Sequence, residues 1–161
     1  KIPQELIRKL VDASNFNTGY FCCRQLSFGM LDMAWHTRTE PFEGDVIAFE
    51  KQAWKRTVIV PEVPGTFMSS SFGHIFSGGY AAGYYGYKWA EVLDADAFSG
   101  FKATGIFNRE TARSFRENVL SKGGTEDPAI LYKRFRGQEP TIDALLIRNG
   151  IKQAEPKANS N

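Results

Sequence analysis

The chain has 161 residues, of which 42% are hydrophobic and 14% aromatic, enough for one packed domain or for part of a larger one. Its 20 basic and 18 acidic residues nearly balance, which argues against a polyanionic partner such as nucleic acid. Cys22 and Cys23 are sequence neighbours, so they indicate reduced thiols and a cytoplasmic location rather than a disulfide framework.

The first part of the chain is predicted to be helical. Residues 3–13 form the first predicted helix, with Pro3 in its first turn and apolar residues along one side. A second helix is expected to begin after Asn15, as its N-cap, and to end near Thr37. The helix carries apolar residues on nearly all of its sides, which predicts that several neighbouring elements bury it. His36, at its end, is interpreted as a surface or capping residue.

A third helix is predicted from about Gly44 to Thr57. An irregular segment rich in proline, glycine and serine follows as far as Ser71. It leads into residues 72–89, FGHIFSGGYAAGYYGYKW, which hold four of the six tyrosines and one of the two histidines. This composition is typical of a turn before an aromatic-rich buried helix, but it also suits a ligand site, because glycine lets the backbone approach a ligand closely.

After Tyr80 the helical pattern resumes to about Lys102, and three more helices follow. Their expected boundary residues are Asn108, Gly123 and Gly124 for the first, Asp127, Pro128 and Gly137 for the second, and Pro140, Thr141 and Gly150 for the third. Apart from a short stretch at residues 57–60, no alternation typical of strands occurs. The predicted fold class is therefore all-α with about seven helices, followed by a polar tail over residues 151–161.

Several kinds of site do not fit this sequence. The two distant histidines and the adjacent cysteine pair match no zinc-ligand spacing. There is no GxSxG motif of a serine hydrolase, and the glycines of residues 78–86 match no phosphate-binding loop. The longest mainly apolar run, residues 75–87, is too short to cross a membrane.

Two ligand-binding interpretations of residues 72–89 remain. Its tyrosines could stack on nucleic-acid bases while the basic residues of 133–136 contact phosphates, but the balanced charge disfavours this. Alternatively, His74, Tyr80 and Tyr87 could donate hydrogen bonds to the oxyanion that forms during amide hydrolysis.

The motifs of the chain resemble a known family. FGHIFSGGYAAGYYGYKWAEVLDADAF is similar to the C-terminal part of the thimet oligopeptidase, oligopeptidase A and peptidyl-dipeptidase family of zinc metallopeptidases. The resemblance continues through GIFNRET, FRENVLSKGGTEDP and YKRFRGQEPTIDALL, and includes the earlier NFNTGYFCCRQLSFGMLDM. The spacing in HIFSGGYAAGYY resembles the bacterial branch, because the mammalian thimet branch has one residue fewer before GGY.

The resemblance implies a mostly helical fold with two halves that flank a deep channel. It implies a zinc ion held by an HExxH motif and a later glutamate, all upstream of the part seen here. Residues 1–150 are then the C-terminal segment of the catalytic domain, and no residue of this chain is assigned to the metal. The chain begins with a lysine that a helix follows almost at once, so it is expected to be part of a longer protein.

The resemblance also implies roles for individual residues. The histidine of the family's FxH motif falls on His74, and the last tyrosine of its YYxY motif falls on Tyr87. These two are expected to be catalytic donors to the tetrahedral oxygen. Tyr84 and Tyr85 are interpreted mainly as packing residues. The expected substrate-binding residues are Gly78, Gly79, Tyr80 and, with less support from the motif, Tyr84.

The implied function is that of a zinc-dependent oligopeptidase or peptidyl-dipeptidase whose substrates are short peptides and whose partner is the remainder of the catalytic domain. The isolated 161 residues are expected neither to bind the catalytic zinc nor to cleave peptides. An apolar face on the second helix or on residues 72–89 is expected to drive self-association. The alternative is a non-catalytic helical domain that binds peptides or acts as a scaffold. An HExxH motif upstream of Lys1 would decide for the enzyme.

Overall fold

The computed structural model describes residues 1–153, and within them it contains seven α-helices of six or more residues, a single α-helical turn and no strand. The helices are α1 (Gln4–Ala13), α2 (Thr18–His36), α3 (Val46–Trp54), the single turn α4 (Gly73–Phe76), α5 (Gly86–Thr104), α6 (Arg109–Phe115), α7 (Pro128–Arg136) and α8 (Asp143–Arg148). Two other helical segments are short: a 3-10 turn at Ser69–Ser71 and a π-helix at Arg116–Leu120, directly after α6. The all-α prediction is confirmed. Of the predicted tail, residues 154–161 lie outside the described residues.

The chain divides into two compact units, Lys1–Trp89 and the residues from Ala90 onwards. In the first unit, α2 and α3 pack together and the segment between α3 and α5 covers part of α2. The core of this unit consists of Phe28, Leu31, Phe72, Ile75 and Tyr84. Residues 72–85 are therefore held by the core of the first unit.

The second unit has its own apolar cluster, formed by Val92 and Ala95 of α5 and Leu145 of α8. Beside it, the buried carboxylate of Asp96 accepts hydrogen bonds from the Tyr132 hydroxyl and from Arg136 Nε. Burial and this carboxylate raise the pKa of the Tyr132 phenol well above its ordinary range. The phenol therefore stays neutral and remains a donor to Asp96.

Helix ends that are formed by a capping side chain or by a C-terminal glycine lie where the sequence predicts them. Asn108 Oδ1 accepts hydrogen bonds from two backbone amides of the first turn of α6. Asp127 caps α7 through the Ala129 amide. Gly137 ends α7 with φ +73°, in the left-handed region that glycine adopts readily.

Two predicted helix starts are wrong, and one possible strand is not formed. Helix α2 begins at Thr18 rather than after Asn15, and Asn17 at its N-cap has φ +57° and makes no capping hydrogen bond through its side chain. Helix α5 begins at Gly86 rather than Tyr80, because residues 80–85 form turns. The stretch 57–60 is irregular, and it forms no strand.

The prediction that α2 is buried all round is wrong for the first half of the helix. Its buried residues lie between Ser27 and Asp32, whereas Phe21 is 60% exposed. Helix α1 has no buried residue, and its apolar stripe, which includes Leu10, is exposed. The expected exposed apolar face on α2 is thus present. No helix of the described residues is long and apolar enough to cross a membrane.

Candidate active site

The backbone of residues 73–80 folds back on itself and places Tyr80 above His74. The Gly78 amide donates to the Gly73 carbonyl oxygen at 2.7 Å, and the Tyr80 amide donates to the His74 carbonyl oxygen at 3.3 Å. His74 lies on the single turn α4, while Tyr87 lies in the first turn of α5. Two helical segments therefore carry His74 and Tyr87, and the turns that join them carry Tyr80.

The two adjacent glycines of this fold-back differ in their surroundings. A Cβ on Gly78 would lie 2.8 Å from the His74 carbonyl oxygen and 3.2 Å from its Cα, too close for any other residue. A Cβ on Gly79 would meet no atom within 4 Å. Gly78 is therefore required by backbone packing, while no such constraint applies to Gly79. The predicted substrate-binding role of both glycines stays a prediction.

Four of the predicted site residues come together in one aromatic cluster. The rings of Tyr80 and Tyr87 stack with centroids 5.1 Å apart and an interplanar angle of 25°. The His74 ring lies 5.8 Å from that of Tyr80 and 6.0 Å from that of Tyr84, and Tyr84 lies 5.0 Å from Tyr87. We call these four residues the donor cluster.

Exposure separates the members of the donor cluster. His74 is exposed, and Tyr80 and Tyr87 are 40% and 38% exposed, so all three can meet a ligand. Tyr84 is only 8% exposed and packs against the core, as its interpretation as a packing residue predicts. Tyr85 is 61% exposed, so its interpretation as a packing residue is wrong for its side chain.

The Tyr80 phenol changes the acidity of its neighbour. A side-chain hydrogen bond with Tyr80 raises the pKa of the Tyr87 phenol above its ordinary value of 10.0, and burial adds to this effect. A phenol with a raised pKa keeps its proton at neutral and mildly alkaline pH. The shift thus extends to higher pH the range in which Tyr87 is a neutral hydrogen-bond donor.

A buried carboxylate on α2, which sequence reasoning missed, holds the turns of the donor cluster. Asp32 Oδ1 accepts from the Ala82 amide at 2.9 Å, and Oδ2 accepts from the Tyr84 amide at 2.9 Å. His36 Nδ1 lies 2.8 Å from Asp32 Oδ1, so His36 is not merely a surface or capping residue. The sequence does contain a signal for Asp32, because an aspartate within the apolar run FGMLDMAW indicates a buried carboxylate. Such a carboxylate needs hydrogen-bond donors from other parts of the chain.

A second buried carboxylate, also missed, holds the segment that precedes His74. Glu50 of α3 accepts from the Met68 amide at 2.6 Å and, through its other oxygen, from the Ser69 amide at 2.7 Å and hydroxyl at 2.6 Å. Trp35 Nε1 donates to the same Ser69 hydroxyl at 3.0 Å. Acidic residues of α2 and α3 thus fix the chain on both sides of His74.

The titratable side chains of the described residues do not form a metal-binding group. Among residues 1–153, no group of three or more His, Cys, Asp or Glu side chains is placed to hold a metal ion. Cys22 and Cys23 are free thiols. An open cavity of about 380 Å³ lies elsewhere in the first unit, between α2, α3 and the segment 57–68, and its lining includes none of the donor cluster.

Comparison with known proteins decides the family. Residues 1–151 match the family described as Peptidase family M3. The chain belongs to this family. This confirms the resemblance drawn from its motifs.

Curated M3 relatives include two kinds of named enzyme. Over 152 residues the chain is 49% identical to Oligopeptidase A of Escherichia coli (strain K12), an alignment that covers 94% of the chain and 22% of that protein. It is 41% identical over 152 residues to Dipeptidyl carboxypeptidase of the same strain, covering 93% and 22%. It is 40% identical over 158 residues to Probable cytosolic oligopeptidase A of Arabidopsis thaliana, covering 95% and 22%. The chain thus spans about a fifth of the length of these M3 relatives.

Proposed function

We propose that this chain is the C-terminal part of the catalytic domain of a zinc-dependent metallopeptidase that hydrolyses short peptides, and that it supplies hydrogen-bond donors to the reaction. The observation that carries the proposal is the convergence of three accessible donors, His74, Tyr80 and Tyr87, in one cluster. Membership of peptidase family M3, with relatives named as oligopeptidases and dipeptidyl carboxypeptidases, supports it.

The proposed chemistry concerns the oxygen of the scissile peptide bond. Attack on the carbonyl carbon turns this oxygen into an oxyanion, which directed donors stabilise more than they stabilise the substrate. The Tyr87 phenol, which is protonated at neutral pH, is proposed to donate to the oxyanion together with His74. Tyr80, stacked on Tyr87, is proposed to hold the peptide backbone, with Gly78 and Gly79 leaving space for it.

The zinc ion is part of the proposal through the family resemblance, which implies ligands that precede this segment. Residues 1–153 do not themselves present a group of three or more His, Cys, Asp or Glu side chains that fits such an ion. The roles proposed for this chain are therefore only those of its own side chains toward the peptide.

The proposed partners are short peptides and the rest of the catalytic domain, to which residues 1–150 would contribute one wall of the site. A cytoplasmic location is also proposed. One relative is named cytosolic, while another from Arabidopsis thaliana is named chloroplastic/mitochondrial, so location varies among the relatives.

Replacing Tyr87 by phenylalanine in the full-length peptidase tests the donor role. Loss of one oxyanion donor is expected to lower kcat by about 100- to 1,000-fold while KM changes only a few-fold, because the interaction is made mainly in the transition state. Steady-state kinetics on a fluorogenic short peptide measures both constants.

Tyr85→Phe is the matched control, since it removes the same hydroxyl from an exposed tyrosine two residues away. It is expected to leave kcat unchanged. An unchanged kcat in Tyr87→Phe would exclude Tyr87 as a donor. If the wild-type protein binds peptides without cleaving them, the peptidase proposal is wrong and the non-catalytic peptide-binding alternative is supported.

A further inference from the structure

Helix α2 contacts the turns at residues 80–85 through the side chain of Asp32. The Asp32 side chain has no exposed surface, and each of its oxygens accepts from a different backbone amide of these turns. A buried carboxylate is tolerated only when donors replace its lost hydration. Here those donors are supplied by the Ala82 amide, the Tyr84 amide and the His36 ring.

The turn that Asp32 holds has an unfavourable backbone conformation. Ala82 has φ +55°, in the left-handed region that residues with a Cβ rarely adopt. Such a conformation persists only where the surrounding structure imposes it. The Ala82 amide is the group bound by Asp32 Oδ1, and the Gly83 amide closes the turn on the Tyr80 carbonyl oxygen at 2.8 Å. Asp32 thus stabilises the strained residue directly.

Tyr84 connects the turn held by Asp32 to the other rings of the donor cluster. Its amide is bound by Asp32, and its ring packs edge-on against Phe28 of α2 with centroids 5.8 Å apart. The same ring lies 5.0 Å from Tyr87 and 6.0 Å from His74. Helix α2 therefore determines both the backbone and the ring position of the residue on which the exposed donors rest.

We propose that Asp32, supported by His36, is a positioning residue that holds the donor cluster in its productive geometry, an inference that rests on the proposed peptidase function. Asp32 is buried and does not itself meet the substrate. His36 contributes because its Nδ1 lies within hydrogen-bond distance of both the Asp32 carboxylate, at 2.8 Å, and the Asp32 carbonyl oxygen, at 3.0 Å. Without this support, the left-handed turn would relax and the phenols would move away from the oxyanion.

The decisive variant is Asp32→Asn in the full-length protein. The asparagine amide has the same shape but turns one acceptor into a donor, so either the Ala82 or the Tyr84 amide loses its partner. We expect kcat to fall by about 10- to 100-fold with KM changed less than about three-fold, as for donors misplaced by a fraction of an ångström to about 1 Å. Hydrogen exchange at the amides of residues 82 and 84 should accelerate, while exchange in α7 stays the same.

Asp96→Asn is the matched control, because Asp96 is a buried carboxylate of the second unit that is bound by Tyr132 and Arg136 of the same unit. It should lower the stability of the protein but leave the kcat of the folded enzyme unchanged. An equal loss of kcat in both variants would overturn the proposal, since it would reduce the effect of Asp32 to general stability.

Two variants of His36 keep the proposal testable if Asp32→Asn does not fold. His36→Leu removes the supporting donor and is expected to lower kcat several-fold and to accelerate exchange at residue 82. His36→Asn places an amide donor near the position of Nδ1 and should restore most of both losses. Unchanged kcat and unchanged exchange in His36→Leu would overturn the proposal, because it requires His36 to support Asp32.

The exchange measurement separates this proposal from the proposed function. If the full-length wild-type protein does not hydrolyse peptides, the proposed function is wrong. Faster exchange at residues 82 and 84 in Asp32→Asn would still support the anchoring of the donor turn by α2. Unchanged exchange there would overturn the anchoring itself, whatever the activity.

Discussion

At the scale of single residues, buried carboxylates rather than the aromatic rings alone shape the candidate site. Asp32 and Glu50 are 0% and 2% exposed, and both accept hydrogen bonds from backbone amides of the segment between α3 and α5. Among the described residues, every buried side-chain nitrogen or oxygen atom has a hydrogen-bond partner. Because removing one partner would leave a buried charge unmatched, these two positions constrain the segment more than neutral contacts would.

Gly78 provides a test of the fold-back that places Tyr80 above His74. In Gly78→Ala the new Cβ would lie 2.8 Å from the His74 carbonyl oxygen, a backbone atom that cannot move aside alone. We expect a loss of about 1–3 kcal/mol in the free energy of unfolding, typical of overpacking, measured by urea denaturation. In the full-length enzyme kcat should fall as well, because the turn that carries His74 is displaced.

Gly79→Ala is the control for this substitution, since its Cβ would enter open space. Its effect on stability should stay within about 0.5 kcal/mol, as for other substitutions away from packed features. Equal destabilisation by the two variants would show that the close approach at Gly78 does not constrain the fold.

At the scale of secondary-structure elements, short polar contacts connect the helices of the second unit. Glu126 lies in the turns that follow Leu120 and precede α7, and its carboxylate pairs with Arg134 at 2.7 Å and with Lys122 at 3.2 Å. The hydrogen bond from Arg134, followed by that from Lys122, lowers the pKa of Glu126 from 4.5 to about 2. The segment that leads into α7 is thus attached to its neighbours by one carboxylate.

This lowered pKa predicts a pH dependence. Because the folded-state pKa lies below that of the unfolded chain, the contribution of Glu126 to stability is complete above about pH 4.5 and is lost as the pH falls toward 2. Between pH 4.5 and 2, the Tm of Glu126→Gln should therefore fall less than the Tm of the wild-type protein. Thermal unfolding across this range measures the difference.

Glu117→Gln, at an exposed glutamate of the same unit, serves as the control and should keep the wild-type pH profile. The effect at Glu126 should also diminish at high salt, because the ion pairs are exposed to solvent. If wild-type and Glu126→Gln profiles coincide at low salt, the ion pairs do not stabilise the attachment of α7.

At the scale of the whole molecule, the chain divides into two units that each bury a separate small core. Apolar side chains are exposed on α1, at the start of α2 and in the turns between these two helices. Leu10 is 67% exposed, Phe16 77% and Phe21 60%. Exposed apolar surface of this kind favours association with other surfaces. In the proposed full-length enzyme, the remainder of the catalytic domain would cover it.

Self-association of the isolated 161-residue chain is the corresponding prediction. We expect its weight-average mass in sedimentation equilibrium to rise with concentration, and the double variant Leu10→Glu, Phe21→Glu to reduce this rise. Ile130→Glu, at an exposed apolar residue of the second unit, is the control and should leave the association unchanged. A wild-type chain that stays monomeric at high concentration would contradict the prediction.

Much of the fold follows from the sequence by itself, because its causes act over a few residues. Helical periodicity and the absence of strand patterns predict the all-α class. The caps at Asn108 and Asp127 and the glycine at residue 137 lie where predicted, since a side chain next to a helix end binds amides two or three positions away. The order of the motifs likewise identifies the peptidase family.

Only the tertiary structure decides how the donor cluster is held. The left-handed conformation of Ala82 and the delayed start of α5 contradict the local helical pattern after Tyr80. The reason is the Asp32 carboxylate, whose amide partners lie 50 and 52 residues further along the chain. A hydrogen bond of that sequence separation exists only once packing brings α2 against the turns. The apolar run around Asp32 therefore indicates a buried carboxylate, but it cannot show that the turns at residues 80–85 are its partners.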